Sequence, residues 1–298
     1  MQTPERKGAC MRIGLQTPVV IQVPATASTW ERTAGAAEIG EIAAVADLLG
    51  VDYLTCSEHV VVPRNVAATR GSTYWDPLAT LAFIAGRTSR IQLATSVLVL
   101  GYHHPLEIAK RYGTLDQVSD GRLILGVGVG SLREEFDLLD AAWDDRGARA
   151  DEAMSALRGA LATNHPVHQG KYYNYDSVVM DPCALQLRVP IWVGGRTRRS
   201  LRRAVELGDG WMPFGLAAAE IATMLAAVDL PDPFDVVLAT GPLDPMGAPQ
   251  QTLDELGALE DAGATAATCV IASRSASHYC EQLGALADLT NLPATERR

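Results

Sequence analysis

From Arg12 to near its end, the chain alternates between short apolar runs and segments whose apolar residues recur every three or four positions. That alternation restricts the possible folds more than any other feature, because strands separated by helices must pair in parallel through right-handed crossovers. The apolar runs are residues 12–16, 51–56, 91–98, 122–127, 191–193, 210–213, 235–239 and 266–271. Between the first two, Ile39, Ile42, Ala43, Ala46 and Leu49 share one helical face, and Gly50 ends the helix. Asp76-Pro77 supplies an N-cap and a first-turn proline for a helix carrying Leu78, Leu81, Ala82 and Ala85, and Pro105 opens another. Further helices are expected near residues 198–207, 217–228, 252–262 and 276–287. The rhythm breaks over residues 131–190, where helical stretches near 132–140 and 147–162 precede a tyrosine-rich segment that could form a hairpin. Eight β/α units in a chain of 298 residues predict an α/β fold, a (β/α)8 TIM barrel with an insertion between strands four and five. An open doubly wound sheet is the alternative. It usually carries a phosphate-binding glycine loop directly after its first strand, and none is present here. The expected division is an extension over residues 1–11 and a single domain over 12–290.

Composition narrows the partners. Twenty-five basic against 35 acidic residues leave a net charge of −10, which repels nucleic acid phosphates. No apolar run approaches the roughly 20 residues that span a bilayer, and residues 1–10 lack the apolar core of a signal peptide. The five cysteines (Cys10, Cys56, Cys183, Cys269 and Cys280) are scattered and odd in number. They read as reduced thiols of a cytoplasmic protein.

In a barrel, chemistry gathers where the strands end at their C-terminal side. After strand two come Glu58 and His59, which either serve as acid, base or hydrogen-bond donor to a cofactor, or merely pair with a loop. Strand three ends in Thr95-Ser96-Val97, where Thr95 and Ser96 are small hydroxyl residues that either face a ligand or satisfy a bulge. His103 and His104 follow; adjacent histidines point apart, so no metal site is expected. Strand four closes with Gly126, Gly128 and Gly130. Alternate glycines clear one face of a strand end for a flat ring or for another stretch of backbone. Gly194-Gly195-Arg196-Thr197 precedes a helix, and five arginines crowd residues 196–203. A helix start attracts anions through its free N–H groups and dipole, so this turn reads as a phosphate site. H-E-x-x-H, G-x-x-x-x-G-K-[ST] and G-x-S-x-G motifs are all missing.

Taken in order, these segments resemble the luciferase-like monooxygenase superfamily, especially its coenzyme F420-dependent oxidoreductases. The resemblance runs through Asp52-Tyr53-Leu54 to Glu58-His59, Arg90-Ile91 to Val99, and His104-Pro105 to Lys110. It continues through Leu115-Asp116, Asp120-Gly121-Arg122-Leu123, Gly126 to Gly130 and Glu134-Glu135-Phe136. Arg146-Gly147-Ala148-Arg149, Pro190 to Gly195 and Gly208-Asp209-Gly210-Trp211 complete it, covering residues 12–215. What it implies is a TIM barrel with a flavin or deazaflavin at its mouth, and a bulge at Thr95-Ser96-Val97, often with a non-proline cis peptide, behind the ring. It further implies His59 beside the reactive centre, the ring edge over Gly128 and Gly130, and the phosphate on Gly194, Gly195, Arg196 and Thr197. A homodimer is usual for that family. One departure stands out: sugar-phosphate-oxidising members carry a glutamate directly after the strand-four glycines, where this chain has Ser131. The expected function is therefore hydride transfer between F420 and a small organic substrate. The alternatives are an FMN- and oxygen-dependent monooxygenase and a non-catalytic flavin-binding protein.

Overall fold

The computed structural model describes residues 11–293. The expected extension lies outside the described residues except for Met11, which packs against the core. The barrel strands are β1 (Arg12–Gln16), β2 (Tyr53–Cys56), β3 (Gln92–Thr95) with its continuation β4 (Leu98–Val99), and β5 (Leu123–Gly128). A small hairpin, β6 (His168–Gln169) and β7 (Asn174–Tyr175), precedes β8 (Ile191–Gly194), β9 (Gly210–Met212), β10 (Asp235–Leu243) and β11 (Ala266–Ile271). All pairings around the barrel are parallel, and β3 pairs with β5 to close the cylinder. This is the expected (β/α)8 barrel.

Eight helices form the outer ring: α1 (Ala36–Leu49), α3 (Pro77–Ala85), α4 (Pro105–Val118), α6 (Arg146–Leu161), α7 (Arg198–Leu207), α8 (Ala218–Leu225), α9 (Pro249–Asp261) and α10 (Ala276–Thr290). Two short helices, α2 (Arg64–Arg70) and α5 (Arg133–Leu138), lie instead on loops above the barrel mouth. Helix α6 packs between α4 and α7, so one helix of the expected insertion is an ordinary member of the ring. The caps form as their residue types dictate. Asp76 accepts the N–H of Ala79 at 2.8 Å, and Gly50 ends α1 in the left-handed region at φ 82°. Strand β10 runs four residues beyond its expected end at Ala239. Its register against β11 shifts between Ala239 and Pro242, so the proline, which has no N–H to donate, sits at an irregularity that spares it a ladder position.

Large side chains fill the lower half of the barrel. Tyr53 and Trp192 are fully buried and meet edge to face at 5.2 Å. The tyrosine hydroxyl and the Thr268 hydroxyl share a hydrogen bond of 2.9 Å, and the indole N–H of Trp192 donates to Asp235 at 2.9 Å. With the interior closed below, a cavity opens at the C-terminal strand ends.

The third barrel strand breaks at that level. Ala94 stands opposite Ile124, whereas Leu98 stands opposite Val127. Four steps along one strand therefore match three along the other, and the extra residue makes a bulge at Ser96-Val97. The Ser96–Val97 peptide is cis, as the resemblance implied. The bulge sits so close to β5 that a Cβ on Gly126 would lie 1.9 Å from the Thr95 carbonyl oxygen. Gly126→Ala is expected to cost about 3 kcal/mol or more, because backbone cannot yield as a side-chain tip does. Gly257→Ala, in the interior of α9 with nothing within 4 Å of the added methyl, is expected to gain roughly 0.5–1 kcal/mol. Urea unfolding midpoints of the two variants check both signs.

Candidate active site

A cavity of about 760 Å³ opens at the C-terminal strand ends. Glu58, His59, Ser96, Val97, Gly128, Gly130, Gly194, Gly195, Arg196 and Thr197 all border it. Thr95 does not. It is fully buried, and its hydroxyl donates to the Gly126 carbonyl at 2.7 Å, so it pins the bulge to β5 and does not face the cavity. Ser57 steadies the bulge from the other side, donating to the Ser96 carbonyl at 2.6 Å.

The glycines clear space chiefly for the protein itself. A Cβ on Gly128 or on Gly194 would meet a Val97 methyl at 2.7 or 2.8 Å, so both admit the bulge residue that forms the cavity floor. Gly130, at φ 79°, and Gly101 flank the ring of Phe136, which added Cβ atoms would reach at 2.4 and 2.6 Å. On the side a Cβ would take, Gly128 faces Val97 and Gly130 faces Phe136, and both glycines also border the cavity over which the ring edge is expected.

Glu58 borders the cavity, but both of its oxygens are engaged. One accepts the Val99 N–H at 2.6 Å and the other meets His103 Nε2 at 2.7 Å. It anchors the end of the third strand, which weakens its assignment as a proton-transfer residue. Burial alone would lower the His103 pKa, but its hydrogen bond and attraction to Glu58 raise it above the ordinary imidazole value. His59 has a different partner. Its Nδ1 lies 2.7 Å from Glu135 Oε2, and the other Glu135 oxygen accepts the N–H groups of Val60 (2.7 Å) and Val61 (3.2 Å). Tyr74 stands edge-on to the His59 ring at 4.5 Å.

The opposite part of the cavity is cationic. Thr197 caps α7: its hydroxyl accepts the Ser200 N–H at 3.2 Å, while its own N–H donates to the Ser200 hydroxyl at 3.1 Å. The Thr197 O–H proton stays free to donate to an anion. Arg196 is exposed, 5.9 Å above the Phe214 ring, and Arg146, Arg199 and Arg203 border the same space. Arg203 is buried; it pairs with Asp151 and donates to the Gly147 carbonyl at 3.1 Å, which ties α7 to α6. Arg202 is exposed and does not border the cavity. Arg146 stacks on Trp143 at 3.5 Å and donates to the Gly130 carbonyl at 3.4 Å.

Sequence reasoning passed over Glu135 and Tyr102. A signal for Glu135 was present, since Leu132, Glu135, Phe136 and Leu139 share one helical face and a carboxylate on an apolar stripe demands buried partners. Among the described residues, no three His, Cys, Asp or Glu side chains group as a metal would require. No helix there is long and apolar enough to cross a membrane.

The luciferase-like monooxygenase family model matches residues 11–240. An uncharacterized protein of Mycobacterium tuberculosis is 30% identical over 158 residues, 53% of this chain and 54% of that protein. An F420-dependent glucose-6-phosphate dehydrogenase of Amycolatopsis mediterranei is 29% identical over 183 residues, 60% of this chain and 53% of that enzyme. The chain thus spans about half the length of the curated relatives it matches. Among solved structures, a monooxygenase from Streptomyces bottropensis superposes with a TM-score of 0.71 at 22% identity, covering 93% of this chain and 98% of that one. That likeness speaks for the fold.

The Glu58–His103 pair makes stability depend on pH. A pKa raised by folding contributes stability that is complete below the unfolded value of about 6.5 and fades as pH rises through the folded one. Glu58→Gln is expected to cost about 1–3 kcal/mol at pH 6 and distinctly less at pH 9. Thermal unfolding at the two pH values reads the difference.

Proposed function

We infer, from a chain that belongs to the luciferase-like monooxygenase family, an oxidoreductase that transfers a hydride between the deazaflavin coenzyme F420 and a small organic substrate. The observation that carries this reading is the pairing of two unlike ends in one cavity: an apolar floor with an imidazole at one end, and a capped helix start with four arginines at the other. A tricyclic ring needs a flat apolar support, and its phosphate needs fixed cations and free N–H groups. Val97 supplies the floor. Arg196, the Thr197 hydroxyl and the first amides of α7 supply the anion site, with Arg146 and Arg199 adding positive potential.

Bound there, F420 supplies hydride transfer, whereas FMN in the same place would also pass electrons to oxygen. The chain's own residues position the ring, exclude water and manage the proton. His59 is the titratable side chain held at the ring end with one nitrogen uncommitted. Tyr74, Trp143, Phe214 and Ile21 give the substrate space an apolar and aromatic wall. Ser131 stands directly after the glycine strand end and accepts a hydrogen bond from Arg70 at 3.3 Å. The position therefore offers no carboxylate, and a sugar phosphate is not the substrate we propose. The name of the Amycolatopsis relative supports F420; the family's name supports a monooxygenase, and with it the second reading, in which FMN takes the place of F420.

Titration of the purified protein with F420 and with FMN separates the readings. Tighter binding of F420 is expected, and binding of neither overturns both. Arg196→Ala should weaken cofactor binding about 10- to 100-fold, the loss of one charge-assisted hydrogen bond. His59→Ala should leave affinity nearly unchanged while slowing hydride transfer about 10²- to 10⁴-fold. A protein that binds the cofactor but has no turnover to lose is the non-catalytic carrier instead.

A further inference from the structure

The Glu135 carboxylate has no contact with solvent. Its Oε1 accepts two main-chain N–H groups, its Oε2 faces His59 Nδ1 at 2.7 Å, and the Tyr102 hydroxyl also donates to it. Burial alone would raise this carboxyl, but the hydrogen bonds from His59, Tyr102 and Val61 outweigh burial and hold its pKa below the ordinary range. An ionised carboxylate only accepts. The ring nitrogen opposite it therefore has one role open, that of donor. The second ring nitrogen, Nε2, makes no hydrogen bond to another described residue, and the ring borders the cavity.

The carboxylate is also held rigidly. Phe136, its neighbour on α5, lies in the slot between Gly101 and Gly130 and meets Tyr102 at 4.9 Å and Trp143 at 5.2 Å, both edge to face. The two amides bound to Oε1 belong to the residues directly after His59. The loop that carries the imidazole and the carboxylate that orients it are thus fastened to each other at three points.

We propose that Glu135 is a positioning residue that locks His59 in the Nδ1–H form, so that the neutral ring turns the lone pair of Nε2 toward the cavity. The assignment deepens the oxidoreductase reading and draws its chemical meaning from it. Of the roles that its position after strand two left open, His59 then has that of base: it takes the hydroxyl proton of a substrate whose carbon passes its hydride to F420, leaving a carbonyl. The arrangement is that of a histidine whose carboxylate partner selects the tautomer and leaves the far nitrogen for chemistry.

The test needs no cofactor. Protein labelled with ¹⁵N-histidine is read by two-bond ¹⁵N–¹H correlation at alkaline pH, where an imidazole carries one proton, with His59→Asn identifying the His59 signals. The expected pattern is a protonated Nδ1 and an unprotonated Nε2. In Glu135→Gln the side-chain amide can donate to Nδ1, so the population should move about tenfold toward the Nε2–H form, matching the loss of one charge-assisted hydrogen bond. Circular dichroism confirms that the variant is folded; if it is not, the wild-type spectrum decides alone. An Nε2–H ring in the wild type, or an unchanged ratio in a folded Glu135→Gln, overturns the assignment. Failure of F420 and FMN to bind would count against the oxidoreductase reading and leave the tautomer result standing.

Discussion

The site rests on missing methyl groups. Gly126 lets the broken third strand approach until the Thr95 carbonyl occupies the place of a side chain, and Gly128 with Gly194 receives Val97 from the same bulge. Gly130 and Gly101 receive Phe136, which fixes α5 and through it the carboxylate that holds His59. A Cβ at any of these positions would displace backbone, the Val97 side chain or a buried ring, and protein interiors have too little free volume to absorb the change. One row of glycines therefore sets both the floor of the cavity and the orientation of the imidazole at its edge.

The barrel was largely legible in the sequence because its signal is repeated. Each apolar run followed by a helical face is weak alone, but the order leaves few topologies. The strand-end positions were legible for the same reason: a barrel puts its chemistry at one rim, so Glu58, His59, Ser96 and Arg196 could be located from strand boundaries alone. Which partner each would take was not legible. Glu58 and His59 are neighbours in the chain, yet the first turns to His103 and the second to Glu135, 76 residues away. Long-range pairings of that kind depend on how loops fold over the rim. The glycines were legible only as a cleared strand face, which is equally suited to a ligand or to another part of the chain. Local pattern does not choose between them.

The electrostatic contrast within the molecule matters for how a ligand would orient. The chain carries a net charge of −10, yet four arginines, from α6, α7 and the turn that precedes α7, border one end of a single cavity. Three of these are partly committed, Arg203 and Arg199 to Asp151 and Arg146 to the Trp143 ring and the Gly130 carbonyl. Those commitments keep them in place before an anion arrives, which reduces the ordering cost of binding. Arg196 keeps its exposure and is the more adaptable contact. An elongated molecule with one anionic end therefore meets a surface that distinguishes head from tail.

The Tyr53–Trp192 plug has a consequence for how such a protein can change over time. Because the lower interior is sealed by aromatic rings tied to Thr268 and Asp235, loops at the rim can be lengthened, shortened or exchanged without disturbing the part that keeps the cylinder closed. Heritable variation at the rim would then alter what the molecule recognises at little risk to folding. Substitutions beneath the plug would be weeded out for reasons unconnected with chemistry.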